Sequence, residues 1–209
     1  MNSIFAFIGT VLLSTSNIGP EYTVEKKMDN FEIRVYEPWI VAETYVKGTQ
    51  ENVGDEAFRI LAGYIFGGNS EKVKIEMTAP VTQQKVAEGE YLVQFYMPKE
   101  WTLNTLPKPN DPRVIIRQLP ERRVFSERYH GGWSMKLYNE ELSEIDSKMS
   151  QLSLKSKGEP IWARYNSPMA LAPFRTNEIQ FEIWKWKWKW SFDSTSNFVN
   201  LGTEFYIIK

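Results

Sequence analysis

Apolar and polar residues alternate with a period of two from Phe31 onward. In FEIRVYE, Phe31, Ile33 and Val35 share one face and Glu32, Arg34 and Tyr36 the other, the pattern of a half-buried strand. Pro38 interrupts, and WIVAETYVKG reads as a second strand ending at Gly48. The period then lengthens. Ala57, Phe58, Leu61, Ala62, Tyr64 and Ile65 make one helical stripe, which stops at Gly67-Gly68-Asn69. KVKIEMTAPV returns to alternation, with Val73, Ile75 and Met77 on one side, and predicts a strand ending at Pro80. EYLVQFYMP (90–98) predicts another.

The same order of events then repeats. Residues 98–112 hold four prolines and read as an ordered connection. RVIIRQL is a strand, Pro120 interrupts, and ERRVFSERYHGG is a strand ending in glycine. Tyr138, Leu142, Ile145, Met149 and Leu152 step by four and three, an amphipathic helix. EPIWARYNSP and NEIQFEI close the series as strands. Two β-β-α-β-β units are therefore expected. Each has a sheet face and a helix stripe that it cannot bury alone. The predicted fold is α+β, a duplicated unit forming a mostly antiparallel sheet or distorted barrel with two helices.

Composition narrows the chemistry. The chain has 209 residues, a net charge of -1 and its basic residues dispersed, so no basic field argues for nucleic acid. It has no cysteine, which removes disulfides, thiolate metal sites and Cys nucleophiles. Its one histidine, His130, excludes a multi-His metal site. Residues 4–13 (IFAFIGTVLL) form an apolar run of signal-peptide length, followed by Ser14 and Ser16 but preceded by no Lys or Arg. Residues 1–19 thus read either as an export signal or as a disordered or surface-docked segment, and localisation stays open. The run is too short to span a bilayer comfortably, and no other stretch is long enough to cross one.

Four strings carry a family resemblance: DEAFRILAGYIFGGN (55–69), KIEMTAPVTQ (74–83), TLPKPNDPRV (105–114) and ARYNSPMALAPFRTNE (163–178). Together they resemble the SOUL haem-binding protein family in its bacterial-type form, over residues 20–183. The resemblance implies a duplicated β/α fold related to effector-binding domains of some transcription regulators. It implies non-covalent binding of haem or another tetrapyrrole in an apolar cleft beside the first helix, and no enzymatic activity. Carried onto this chain, the cleft candidates are Phe58, Arg59, Ala62, Gly63 and Phe66, with Met77 a weaker one.

The residues themselves leave alternatives open. Haem needs an apolar slot, a cation or two for its carboxylates, and optionally an axial ligand. Arg59 is the cation inside the helix and fits a propionate; equally, it fits a solvated face. Phe58, Phe66 and Met77 fit a core as well as a cofactor wall. Gly63 in mid-helix invites a close approach by ligand or strand. His130 matches no family ligand, so a haem site here is expected to lack His coordination; Tyr64 is a conceivable ligand whose place on the stripe favours the core. No protein metal ligand set is predicted. Two other functions remain: a carrier or sensor of another amphipathic small molecule, and a hydrolase using a cleft Glu/Tyr pair drawn from Glu43, Glu76 or Glu182. Glu76 alternates against Val73, Ile75 and Met77 and so faces solvent on that pattern.

The last 26 residues stand apart. WKWKWKW (184–190) holds half of the eight Trp, and its apolar positions are even-numbered where Ile179, Phe181 and Ile183 are odd. That shift requires a bulge or a new strand. Residues 184–209 read as an extension, a possible β-hairpin whose Trp face offers a contact for a protein or a membrane surface. The domain itself is expected to be a monomer.

Overall fold

The computed structural model describes residues 19–184 apart from 168, together with the backbone of two short C-terminal strands. The signal-like run at 4–13 and most of the Trp-rich stretch lie outside the described residues.

Nine antiparallel strands form one sheet that curls into a half-barrel. In chain order they are β1 (Tyr22–Lys27), β2 (Phe31–Tyr36), β3 (Trp39–Lys47), β4 (Val81–Ala87), β5 (Glu90–Tyr96), β6 (Ile115–Leu119), β7 (Arg122–His130), β8 (Ile161–Arg164) and β9 (Thr176–Glu182). Two helices, α1 (Val53–Ile65) and α2 (Met135–Gln151), interrupt the strands. Across the sheet the order is β1-β2-β7-β9-β8-β4-β5-β3-β6. Exchanging β2–β5 with β6–β9 reads the last eight strands of this order backwards onto itself. β3 and β7, which correspond in that exchange, are both nine residues long and share the same burial sequence.

The two helices cover separate parts of one sheet face. α1 buries Val53, Ala57, Leu61 and Ile65 against Ala42 and Val46 of β3 and Val93 and Phe95 of β5. α2 starts at Ser134, whose hydroxyl accepts the Leu137 N–H, and buries Tyr138, Ile145 and Met149 against Phe125, Trp162 and Ile179. A fully buried aliphatic side chain such as Leu61 contributes roughly 1.5–3 kcal/mol.

Two segments differ from expectation. The alternating run 73–77 is not a strand: it lies between α1 and β4 with no ladder partner. It is held instead by the Ile75 N–H donating to the Ile65 carbonyl at 2.8 Å. Alternation reports an extended chain with one buried side, and here the neighbour is a helix end. The strand begins after Pro80. Conversely, β1 gave no signal because all six of its residues are exposed.

After β9, Ile183 makes a single bridge to Ser156 and the Trp184 carbonyl accepts from Arg123. A new strand, β10 (Trp188–Phe192), pairs antiparallel with β11 (Phe198–Thr203) in a separate two-stranded sheet. The change of apolar parity at Trp184 is thus met by a new strand.

A candidate tetrapyrrole site beside the first helix

Five of the six candidate residues lie along α1 and its C-terminal cap, and Met77 lies on the segment that follows. Phe58, Ala62 and Phe66 follow at spacings of four and form one stripe. The Phe58 ring meets Phe95 edge-on at 5.6 Å, which fixes the stripe's inner end against β5. Ala62 is buried, whereas Phe66 is 59% exposed. Asn69 folds the chain back: its amide donates to the Tyr64 and Val73 carbonyls and its oxygen accepts from the Glu71 and Val73 N–H groups. The returning segment bonds to Ile65 through Ile75, and Met77, two residues on, is 40% exposed. Phe66 and Met77 therefore present apolar surface where a core position was the simpler expectation.

Arg59 and Gly63 lie on the neighbouring row of the same exposed face, in a cleft of about 410 Å3. Glu56, Ile60 and Tyr64 complete the helix wall, and Asn110, Asp111 and Arg113 of the NDPRV string form the opposite one. Four charged residues, Glu56, Arg59, Asp111 and Arg113, are among its lining. Arg113 donates to both oxygens of Asp111, and this contact holds the Asp111 carboxyl below its ordinary range. Arg59 is exposed and reaches back only to the Asp55 carbonyl, at 3.4 Å. A Cβ on Gly63 would meet nothing within 4 Å, so no strand packs there and the helix wall stays open. Gly68 is different: a Cβ there would stand 2.5 Å from the Gly63 carbonyl. The Tyr64 hydroxyl donates to the Pro107 carbonyl, and burial pushes its pKa up to about 12.

A basic and aromatic cluster lies at the start of α1. The Arg164 guanidinium sits over the rings of Trp162 and Trp133, at 5.1 and 5.3 Å to the centroids, and donates to the Gln83 side chain at 3.0 Å. Arg175 stacks on Trp133 at 4.3 Å. Burial pulls the Arg164 pKa down to about 10, with only the charges of Tyr129 and Asp55 opposing, so it stays a cation at neutral pH. Neither arginine was a sequence candidate. RYNSP and PFRTNE were noted as motifs, but nothing in their spacing reports stacking on Trp133.

The opposite sheet face holds a further set of titratable groups. Along β7, Phe125 and Tyr129 point to α2, so Ser126, Arg128 and His130 point away from both helices. His130 is exposed there. Glu178 is fully buried on the same face, where it accepts from Arg34, Ser126, Tyr165 and Gln180. Burial works to raise its pKa, but the Arg34 charge and these hydrogen bonds hold it at about 2. It is a buried Glu–Tyr pair with the wrong ionisation for a proton donor. Of the sequence candidates, Glu43 is buried against Arg117 and Gln94, Glu182 lies near Arg122, and Glu76 is exposed.

Comparison with known proteins decides the family. The model of the SOUL heme-binding protein family matches residues 18–182. This chain belongs to the SOUL family. A curated relative, human Heme-binding protein 2, is 30% identical over 159 residues, covering 72% of this chain and 76% of its own. Solved structures share the fold at much lower identity. The EcmrR C-terminal domain is 10% identical with a TM-score of 0.59, over 75% of this chain and 98% of that one. A hydrolase from Listeria innocua is 9% identical with a TM-score of 0.54, over 81% and 94%. At such identity the likeness concerns the fold alone. SOUL is a heme-binding rather than an enzymatic family, and membership supports tetrapyrrole binding in general terms.

Proposed function

We propose that this SOUL-family chain binds haem or a related tetrapyrrole, non-covalently, along the flank of α1 formed by Phe58, Ala62, Phe66 and Met77. The observation that carries this is the exposure of Phe66 at the end of a helix whose other face is core, with Met77 also exposed on the segment that returns from it. An exposed apolar strip of this kind marks a contact surface. Haem would supply a flat apolar disc and carboxylate edges to it. His130 faces away from the helices, and the Tyr64 hydroxyl is occupied by Pro107, so neither supplies an axial ligand here. The role is binding, with no catalytic residue.

Titration with haemin, followed by the Soret band, tests this. A saturable shift at micromolar haemin is expected, and Phe66→Asp is expected to weaken it at least tenfold. No saturable shift overturns the proposal.

The cleft lined by Arg59 and Gly63 supports a second function. Its charges of both signs, Arg59 and Arg113 with Glu56 and Asp111, suit a small amphipathic molecule bearing both signs, carried or sensed without iron. Arg59→Glu would then abolish binding of that molecule while leaving haemin affinity unchanged.

A further inference from the structure

The apolar flank of α1 ends on a guanidinium. Gly54 precedes Phe58, Ala62 and Phe66 in the same four-residue stripe. A Cβ on Gly54 would lie 3.1 Å from Nη1 of Arg164 and 3.4 Å from Nη2. Glycine thus lets the cation rest on the first turn of the helix. The first turn of a helix carries partial positive charge and Asn52 provides no side-chain cap there, while Asp55 and Glu56 in the same turn supply negative charge. Among the described residues no carboxylate lies within ion-pair distance of Arg164: the Asp55 charge acts on it from further away, and its close partners are Gln83 and the two indoles. Partly buried cations normally find an anion. Arg175, on the other face of this basic cluster, adds positive charge through its stacking on Trp133.

We propose that Arg164 receives a carboxylate of the ligand, so that the acidic edge of a tetrapyrrole is anchored at the start of α1 and its apolar body lies along Phe58, Ala62 and Phe66. This rests on the binding function proposed above. It moves the anionic contact from Arg59, which lines the neighbouring cleft, to a residue 105 positions later. From Gly54 to Ala62 the helix rises about 12 Å, the scale of a tetrapyrrole disc. Nη2 is engaged by Gln83, which leaves Nη1 and Nε to donate. The indoles of Trp133 and Trp162 hold the guanidinium plane in place before a ligand arrives.

The test compares haemin with haemin dimethyl ester, whose carboxylates are blocked. The intact protein is expected to bind haemin about tenfold or more tightly than the ester. Arg164→Gln is expected to lower haemin affinity to that of the ester and leave the ester unchanged. Arg164→Lys should keep part of the difference, and Arg59→Gln all of it. Equal affinity of the intact protein for haemin and ester overturns the proposal. So does an Arg164→Gln protein that still prefers haemin as strongly as the original. If Arg164→Gln does not fold, the ester comparison on the intact protein decides alone. Saturable haemin binding without discrimination refutes the role of Arg164 and leaves the binding function standing; failure of both ligands to bind refutes both.

Discussion

Arg34 and Glu178 meet as a two-point ion pair across the sheet, Nη1 and Nη2 donating to Oε2 and Oε1 at 2.8 and 3.0 Å. Both side chains are buried, and Arg128 adds a third contact from the rim.

Acid should therefore weaken the fold over a defined range. The folded pKa of Glu178, about 2, lies below its ordinary 4.5. The stabilisation is complete above about pH 4.5 and is lost as pH falls toward 2. Glu32, also held low by Arg34 and Lys27 against the effect of burial, contributes to the same fall. Urea midpoints recorded from pH 6 to 2 should drop, and Glu178→Gln should flatten that drop. At neutral pH the substitution should cost about 3–5 kcal/mol by leaving Arg34 buried without its partner. A midpoint within a few tenths of a molar of the original would refute the ion pair's structural role.

Gly63→Ala should stabilise the protein. The position is mid-helix and a Cβ there touches nothing within 4 Å. The expected gain is about 0.5–1 kcal/mol in chemical denaturation. A loss instead would show that the helix wall at Gly63 is closed.

Gly68→Ala should do the opposite. The new Cβ would stand 2.5 Å from a backbone oxygen that cannot retreat without breaking the Gly68 N–H to Gly63 contact. A cost of about 1–3 kcal/mol is expected. An unchanged melting temperature would mean that the helix terminus relaxes freely.

Truncation after Trp184 should leave a folded domain. Arg123 bonds to the Trp184 carbonyl and the Ile183 N–H to the Arg123 carbonyl, so these two residues belong to the sheet's edge of contacts. β10 and β11 pair with each other in a sheet of their own. We expect the 1–184 chain to unfold cooperatively and to bind haemin as the full chain does. Loss of either property would make the Trp-rich extension part of the working domain.

The sequence carried the scaffold and half of the site. Strict alternation at Phe31–Val35 and four-three steps at Tyr138–Leu152 reported β2 and α2, because one side of each is core. The same rule misled at Val73–Met77, where the buried side faces a helix end rather than a strand. It was silent at β1, which buries nothing. The α1 candidates were legible as one helical band, but the exposure of Phe66 and Met77 was not, because it depends on how the chain turns at Asn69 after the helix. Asn110, Asp111 and Arg113 were visible as the NDPRV string; their position opposite Arg59 was not. Arg164 left no trace, since its meaning depends on Trp133 and Gly54, both distant in the chain.

The sheet does not close, so β1 and β6 are its free edges. β1 breaks register between Val24 and Lys26 and carries Glu25, Lys26 and Lys27 outward; β6 has five residues and bears Arg117. A bulge, a short strand and edge charges are the devices that discourage a second chain from adding its own strand. With such borders the domain can leave an apolar strip on α1 open to a ligand while resisting the edge-to-edge growth that leads to fibrils.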